Sequence, residues 1–123
     1  MPKKNTRRQE GPLRFVTYLR CSSDDQAEKD YSTIDTQRSI TREYVAQRGG
    51  QLIEEYVDEG RSGTTLDRPG WKRLLADAQT RRFDVVVASY MSRLGRGKAF
   101  TIAEYELEKH DVRVEMVREQ FAD

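Results

Sequence analysis

The residues of this 123-residue chain that could do chemistry together are a serine and five arginines. Ser22 comes just after a short apolar run, with Ser23 beside it. The arginines lie in three polar stretches: Arg20, Arg61, Arg68, Arg93 and Arg96. Taken singly, an arginine in a loop is ordinary because loops are exposed to water. Several guanidinium groups around one hydroxyl, however, favour phosphoryl over acyl chemistry, because they stay protonated and bind phosphate oxygens bidentately.

Four short apolar runs predict the strands that would position these residues. They cover residues 15–19, 52–57, 85–88 and 112–117. The run at 85–88 is continuously apolar, as expected of a central parallel strand that is covered on both faces. With helical stretches between the runs, the order is β-α-β-α-β-α-β, which predicts an α/β fold: a three-layer α/β/α domain with a mostly parallel sheet of four to five strands.

Amphipathic segments between the runs predict three helices. The first starts in the S-x-x-D pattern of residues 32–35 and stops at Gly49-Gly50. The second starts at Pro69, a residue favoured in the first helical position. The third carries Phe100, Ala103 and Leu107 on one side. Spacing of 100° per residue puts a buried row on the first helix: Ile34, Ile40, Tyr44 and Val45.

The predicted topology gathers the candidate residues at one edge of the sheet. In an open parallel sheet, ligands bind outside the carboxyl ends of the strands. The loops expected there are residues 20–31, 58–68 and 89–98, and they hold the five arginines, Ser22 and Asp58. The sequence therefore predicts a phosphate site at this edge.

Other nucleophile schemes fit the sequence less well. A Ser-His-Asp hydrolase needs a histidine beside the serine, but the only histidine, His110, falls at the opposite edge of the predicted sheet. A C-x5-R phosphatase loop at Cys21 would need an arginine where Ala27 stands. The string SRLGRGKA departs from a phosphate-binding loop at both ends, since Ser92 replaces its first glycine and Ala99 its final hydroxyl.

Several blocks of the sequence resemble the serine recombinases, the family of resolvases, invertases and large serine integrases. The segment Tyr18-Leu19-Arg20-Cys21-Ser22-Ser23, with Gln26 beyond it, is similar to the family's Y-x-R-x-S signature. DEGRSG, Asp67-Arg68-Pro69-Gly70 and Ser92-Arg93-Leu94-Gly95-Arg96 match later blocks in the same order. The match runs from about Phe15 to the end, and the combination is far more specific than any one block.

The resemblance implies a DNA recombinase that cuts and rejoins strands through a covalent 5′-phosphoserine. It implies that Ser22 is the nucleophile, that Asp58 helps to position the cluster, and that four arginines surround the phosphate: Arg20, Arg68, Arg93 and Arg96. The supporting residues are Gln26, Gln37, Ser92 and Arg61. For Gln37 a second interpretation stays open, namely a buried amide that is satisfied by backbone groups.

Two departures from the family pattern bear on this expectation. Many members have Asp where this chain has Ser92, so a hydroxyl, a water molecule or Asp58 would have to take over any proton transfer by that carboxylate. The segment between Gln26 and Gln37 is longer than in small resolvases, which favours a large integrase or a transposon recombinase.

Two alternatives from other classes remain. One is a non-catalytic α/β scaffold or regulatory module, and the other is a metal-dependent nuclease that uses Asp24, Asp25 and Asp58. No compact His/Asp/Glu cluster with ligand spacing is visible, so we expect no catalytic metal. We also expect no cofactor, because a covalent phosphoserine ester preserves the energy of the broken bond.

Composition restricts the remaining possibilities. Lys plus Arg number 22 and Asp plus Glu 21, a net charge of +1 that argues against binding by bulk charge alone. Residues 1–14 are expected to be a basic flexible tail and residues 15–123 the catalytic domain, truncated before the dimerisation helix and the DNA-binding domains. No stretch reaches the roughly 20 apolar residues of a membrane helix. We expect a cytoplasmic, nucleoid-associated protein of bacterial or phage origin that binds double-stranded DNA, and that forms dimers or tetramers at full length.

Overall fold

Strands and helices alternate along the chain in a computed structural model that describes residues 11–21, 33–60, 65–95 and 97–118. The elements are β1 (Arg14–Cys21), α1 (Ile34–Gln47), β2 (Gln51–Glu59), α2 (Pro69–Gln79), β3 (Val85–Ala88), α3 (Met91–Leu94), α4 (Lys98–Glu108) and β4 (Arg113–Met116). All four predicted strands and all three predicted helices are present. The short helix α3 is an addition, and its single turn is too brief to leave a periodic pattern.

The strands form one four-stranded sheet in the order β2-β1-β3-β4, with every neighbouring pair parallel. The α/β prediction is therefore confirmed. β1 and β2 run further than their apolar runs, because they stay paired through Arg20 opposite Asp58 and Cys21 opposite Glu59. The prediction that Arg20 and Asp58 lie in loops is thus wrong, since both are strand residues at the carboxyl edge.

Alternating side chains of β1 separate two cores, one on each face of the sheet. On one face, Phe15 packs with Val45 of α1, and Leu19 and Cys21 pack with Ile34 at the start of that helix. On the other face, Val16 and Tyr18 join a larger cluster from α2 and α4 that includes Trp71, Leu74, Ala103 and Leu107. This arrangement confirms the three-layer prediction.

Helix α1 begins one residue after the predicted start pattern would place it. Its N-cap is Thr33, whose hydroxyl accepts a hydrogen bond from the backbone N of Thr36 at 3.1 Å. The C-cap is Arg48, and Gly49 follows with a φ of +72°, a conformation that glycine adopts without strain. The predicted stop at Gly49-Gly50 is confirmed.

The predicted buried row of α1 is partly wrong. The residues that are buried run at spacings of three and four from the first turn: Ile34, Gln37, Thr41 and Val45. Ile40 and Tyr44 precede the last two by one residue, which turns them about 100° away, and they are half-buried. A pattern based on hydrophobicity misses Thr41 on this face, whereas Gln37 was anticipated there as a buried amide.

Helix α2 begins at Pro69, as predicted.

None of the helices within the described ranges is long and apolar enough to cross a bilayer.

Candidate active site

The structure describes five of the predicted site residues, and all five lie near the carboxyl ends of the strands. Arg20 and Asp58 end β1 and β2, Gln37 lies in α1, Arg68 precedes α2, and Arg93 lies in α3. The remaining predicted site residues lie outside the described residues: Ser22, Gln26, Arg61 and Arg96. Ser92 belongs to α3, but its side chain is not described, and Asp24 and Asp25 also lie outside the described ranges.

Arg20, Arg68 and Arg93 are brought together around the short helix α3. Arg20 Nε donates to the carbonyl of Arg93 at 3.0 Å, and Arg93 Nη1 donates to the carbonyl of Arg20 at 3.1 Å. Arg68 Nη2 donates to the next carbonyl of α3, that of Leu94, at 2.8 Å. The last carbonyls of a helix have no partner within it, so α3 supplies acceptors that hold two guanidinium groups side by side.

These three arginines are interior residues. Arg20 and Arg68 are 0% exposed and Arg93 is 7% exposed. Arginines that lie in loops only because loops are exposed to water would themselves be exposed. That explanation therefore fails for all three residues. A buried charge is costly unless it is hydrogen-bonded, and main-chain acceptors around α3 bind each of the three guanidinium groups. Three guanidinium groups are thus buried together at the carboxyl edge of the sheet.

Gln37 fixes the main chain of Arg20. Its Oε1 accepts from the backbone N of Arg20 at 3.2 Å, and its Nε2 donates to the backbone carbonyl of Arg20 at 2.9 Å. Gln37 is thus a buried amide satisfied by backbone groups, one of the two interpretations that the sequence left open. Because the backbone it holds is that of Arg20, the same contacts tie α1 to the candidate site.

Asp58 caps helix α2 from a neighbouring strand. Its Oδ1 accepts from the backbone N of Gly70 at 2.7 Å, and its Oδ2 accepts from the backbone N of Trp71 at 2.9 Å. Arg68, the N-cap residue, makes no side-chain cap of its own. Carboxylates stabilise the N-terminus of a helix by satisfying its unpaired N–H groups, so Asp58 fixes where α2 begins relative to the sheet.

Gly70 makes this approach possible. A Cβ at position 70 would lie 2.8 Å from Asp58 Oδ2 and 2.8 Å from the carbonyl oxygen of Val57. Only glycine leaves room there for the carboxylate and the end of β2.

Tyr18 opens the segment that resembles the Y-x-R-x-S signature, and it joins the site although it was not among the predicted site residues. Arg68 Nη1 donates to its hydroxyl oxygen at 2.8 Å, and the hydroxyl donates to Asp58 Oδ2 at 2.6 Å. Burial raises the pKa of Tyr18 above its ordinary value, opposed by the charge of Arg68, so the phenol stays neutral. The available signal was its spacing: Tyr18 is two residues before Arg20 on a strand and so shares its face.

A cavity of about 420 Å³ lies at the same edge but on the other face of the sheet. Its lining includes Cys21, Ile34 and Val57, together with the acidic residues Asp35 and Glu59. The three buried arginines do not line it. Arg38 also contributes to the lining, so the charges there are mixed, and the described lining is separate from the arginine cluster.

The family model named "Resolvase, N terminal domain" matches residues 15–123. Over 110 residues the chain is 32% identical to the "Putative DNA recombinase" of Bacillus subtilis (strain 168), covering 89% of this chain and 21% of that protein. Over 64 residues it is 31% identical to the "Uncharacterized immunity region protein 3" of Bacillus phage phi105, covering 52% of this chain and 77% of that protein. The chain thus spans about a fifth of the length of the Bacillus subtilis relative.

Solved structures of catalytic domains share the fold. The N-terminal catalytic domain of TP901-1 integrase matches with a TM-score of 0.76 and 28% identity, over 85% of this chain and 77% of that one. The C-terminal catalytic domain of ISC1926 TnpA, an IS607-like serine recombinase, matches with a TM-score of 0.74 and 30% identity, over 85% of this chain and 70% of that one. The chain belongs to the resolvase N-terminal domain family, the catalytic-domain family of the serine recombinases.

Proposed function

We propose that this domain cuts and rejoins DNA as the catalytic part of a site-specific recombinase, with Ser22 as the nucleophile. The Oγ of Ser22 gives up its proton to a nearby hydroxyl or water molecule and attacks a backbone phosphorus, an Oγ–P bond forms, and the bond from phosphorus to the 3′-oxygen breaks. The released 3′-oxygen takes up a proton, and the 5′-phosphate remains on the serine. Rejoining reverses these steps with a new 3′-hydroxyl, so no nucleotide cofactor is needed.

The observation that carries this proposal is the cluster of three buried arginines beside the end of β1. Ser22 follows Cys21, the last residue of that strand, by one position. The five-coordinate transition state gathers charge on the non-bridging oxygens, so fixed cations stabilise it selectively. Losing one such donor typically costs about 2.7 to 4 kcal/mol, or roughly 10² to 10³ in rate. Arg20, Arg68 and Arg93 are proposed in this role, with Arg96 as a fourth.

We assign Asp58 to positioning rather than to proton transfer. Both of its oxygens accept hydrogen bonds, from Tyr18 and from two backbone N–H groups of α2. A carboxylate held in this way is poorly placed to take a proton from a serine. A hydroxyl, such as that of Ser92, or a water molecule is left to replace the carboxylate that many family members carry at position 92.

The same contacts weigh against a metal-dependent nuclease built on Asp24, Asp25 and Asp58, because the oxygens of Asp58 already face three protein donors. The two schemes differ in their response to a chelator. We expect DNA cleavage to continue in excess EDTA, as measured by the conversion of supercoiled plasmid to cut forms. Loss of cleavage in EDTA and its return with Mg²⁺ would instead support the nuclease.

We also propose the DNA substrate, the oligomeric state and the cellular location of the protein from its family membership. Two similar structures are named an integrase and a serine recombinase, which supports double-stranded DNA as substrate and a mobile element as the setting. We propose that a longer protein assembles as a dimer or tetramer in the bacterial cytoplasm at the nucleoid. Residues 1–10 of the predicted basic tail lie outside the described residues, and the tail prediction is wrong for Arg14, which begins β1 and donates to Asp84. A large integrase or transposon recombinase is proposed as the subfamily.

Covalent trapping tests the proposal. The full-length protein is incubated with end-labelled plasmid DNA that carries the sequences flanking its gene, and is then denatured and resolved on a gel. We expect labelled DNA to remain attached to the protein, and Ser22→Ala to abolish the attachment while DNA binding is kept. Ser23→Ala is the matched control and is expected to retain it. Attachment that survives Ser22→Ala and is lost in Ser23→Ala would contradict the assignment.

A further inference from the structure

We infer that Gly60 is a positioning residue for the proposed reaction: its backbone N–H holds the carbonyl of Cys21 and so restrains the peptide group that leads into Ser22. The inference rests on the proposed function for its chemical consequence, because it takes Ser22 as the nucleophile. In this role Gly60 touches no reacting atom and acts through the main chain alone.

Gly60 continues the pairing of β1 and β2 beyond the last residue of each strand. Cys21 and Glu59, which end the two strands, lie opposite each other in the parallel register. The next residue, Gly60, donates its backbone N–H to the carbonyl of Cys21 at 2.6 Å. This is a close contact between a backbone N–H and a carbonyl oxygen, so the end of β2 grips the end of β1.

The carbonyl of Cys21 belongs to the peptide group that joins Cys21 to Ser22. The atoms of a peptide group lie in one plane, which runs from the Cα of one residue to the Cα of the next. A hydrogen bond to the Cys21 oxygen therefore also restrains the nitrogen and the Cα of Ser22. Because the serine side chain leaves the main chain at that Cα, the proposed nucleophile is aimed in part from β2.

The conformation of Gly60 requires glycine. Its φ is +71°, which glycine adopts without strain and a residue with a Cβ adopts only at a cost. A Cβ at this position would have no neighbour within 4 Å among the described residues, so packing leaves room for a side chain. A residue that relieves the strain by changing φ moves the main chain here, and with it the N–H that binds Cys21.

The end of β2 holds two parts of the proposed site at once. Asp58, two residues before Gly60, accepts from two backbone N–H groups of α2 and so fixes where Arg68 lies at the start of that helix. Gly60 restrains the main chain that leads into Ser22. One strand end thereby sets the distance between the proposed nucleophile and one of its cations.

Gly49 provides a matched control at the other edge of the sheet. Its φ is +72°, and a Cβ there would also have no described neighbour within 4 Å. Its N–H likewise donates to a main-chain carbonyl, that of Ala46, at 3.0 Å. Gly49 lies just before β2 begins, whereas Gly60 follows its end. The same substitution at the two positions therefore imposes similar backbone strain, but only Gly60 contacts the residue before Ser22.

The test measures the rate of covalent attachment by the full-length protein to the plasmid described above, at saturating protein. Proline removes the N–H outright, and we expect Gly60→Pro to slow attachment by about 100-fold, the effect of a misplacement of about 1 Å. Gly49→Pro is expected to keep the parent rate. Binding of the same DNA, followed by gel shift, is expected to be unchanged in both variants. Equal rate losses at the two positions would overturn the inference, as would a parent rate in Gly60→Pro.

Milder variants decide the question if Gly60→Pro does not fold. Gly60→Ala keeps the N–H but strains φ, and we expect a loss of about tenfold, equivalent to the strain of a Cβ at this φ. Gly60→Asn is expected to regain most of the parent rate, because asparagine tolerates a positive φ better than alanine. Gly49→Ala is the control and is expected to lose stability without losing rate. An asparagine variant slower than the alanine variant would refute the dependence on φ.

A spectroscopic measurement separates this inference from the proposed function. Cys21 is the only cysteine of the chain, so labelling cysteine carbonyls with ¹³C and serine nitrogens with ¹⁵N gives one signal from the Cys21–Ser22 peptide group. We expect the carbonyl shift of a hydrogen-bonded group in the parent and in Gly49→Ala, and an upfield shift with a broader line in Gly60→Ala. If the parent does not cleave DNA, the proposed function fails, and this signal still decides whether Gly60 holds the peptide group. Equal signals in all three proteins would refute the positioning role.

Discussion

Arg20 and Arg93 each donate a side-chain hydrogen bond to the main-chain carbonyl of the other, at 3.0 and 3.1 Å. The pair joins β1 to α3 across 73 residues of sequence. Neither guanidinium is neutralised by the contact, because both acceptors are carbonyl oxygens. Each arginine therefore helps to fix the position of the other's backbone, and the loss of one side chain disturbs both.

Arg20→Lys is expected to lower the free energy of unfolding by about 1–3 kcal/mol, because lysine cannot reproduce the Nε contact and leaves the buried Arg93 carbonyl without that donor. Urea unfolding measures the loss. Arg42→Lys is the matched control, since Arg42 donates Nε to Glu55 at 2.8 Å but its side chain is 56% exposed. A change within about 0.5 kcal/mol is expected there. Equal losses in the two variants would show that the buried contact adds nothing.

Gly70→Ala is expected to destabilise the protein by about 1–3 kcal/mol, the usual cost of overpacking. The new Cβ would press on Asp58 Oδ2 and on the Val57 carbonyl, both at 2.8 Å. Helix propensity alone predicts the opposite sign, a gain of about 1 kcal/mol, so the sign measured by thermal or urea unfolding distinguishes the two effects.

Ala76→Gly, at an exposed position of the same helix, reports the propensity term by itself and is expected to cost about 1 kcal/mol. A gain in stability for Gly70→Ala would mean that the carboxylate does not cap α2 as closely as the structure shows.

Glu115 makes stability depend on pH at the acidic end. It accepts hydrogen bonds from Arg48 at 2.6 and 2.9 Å and from the Tyr44 hydroxyl at 2.8 Å. The bond from Arg48 lowers the pKa of Glu115 below that of a free glutamate, against the opposing effect of burial. Because the folded-state pKa is the lower one, the stabilisation is complete above the unfolded-state pKa and disappears as pH falls through the folded-state pKa.

Glu115→Gln is therefore expected to be about 1 kcal/mol less stable than the parent near neutral pH. The difference should shrink as the pH is lowered below about 4. Unfolding curves collected across this range measure it. Glu43→Gln, at an exposed position of α1, is the control for removing a glutamate charge away from Arg48. A difference between the parent and Glu115→Gln that stays constant with pH would contradict the assigned cause.

The strand Val85–Ala88 could be predicted to the residue, whereas the inner face of α1 could be predicted only in part. Ile34, Val45 and, as one open interpretation, Gln37 were expected there, but Thr41 was not. Four consecutive apolar residues covered on both faces leave no other arrangement for β3. Gln37 and Thr41 can be buried on the inner face of α1 because both find backbone acceptors there. Gln37 Nε2 donates to the carbonyl of Arg20, and the Thr41 hydroxyl donates to the carbonyl of Gln37 at 2.8 Å. A pattern based on hydrophobicity does not register acceptors that only the folded chain brings into place.

The candidate site, too, could be predicted from the sequence only in part. The meeting of Arg20, Arg68 and Arg93 could be predicted, because parallel strands send their carboxyl ends to a common edge. Their burial and the contact of Arg68 with the Tyr18 hydroxyl could not. The burial depends on the carbonyls of α3, a helical turn too short to leave a pattern in the sequence. The contact depends on the Tyr18 hydroxyl, which accepts a hydrogen bond from an arginine 50 residues away.

The long sequence separation between Arg20 and Arg93 has a consequence for protein synthesis. A ribosome adds on the order of ten residues per second, so Ser22 is synthesised several seconds before Arg93, the last of the three buried arginines along the chain. On the proposed function, a nascent polypeptide cannot nick the chromosome during that interval. On the same proposal, products cut short ahead of residue 93 would lack that guanidinium and are expected to be equally inert.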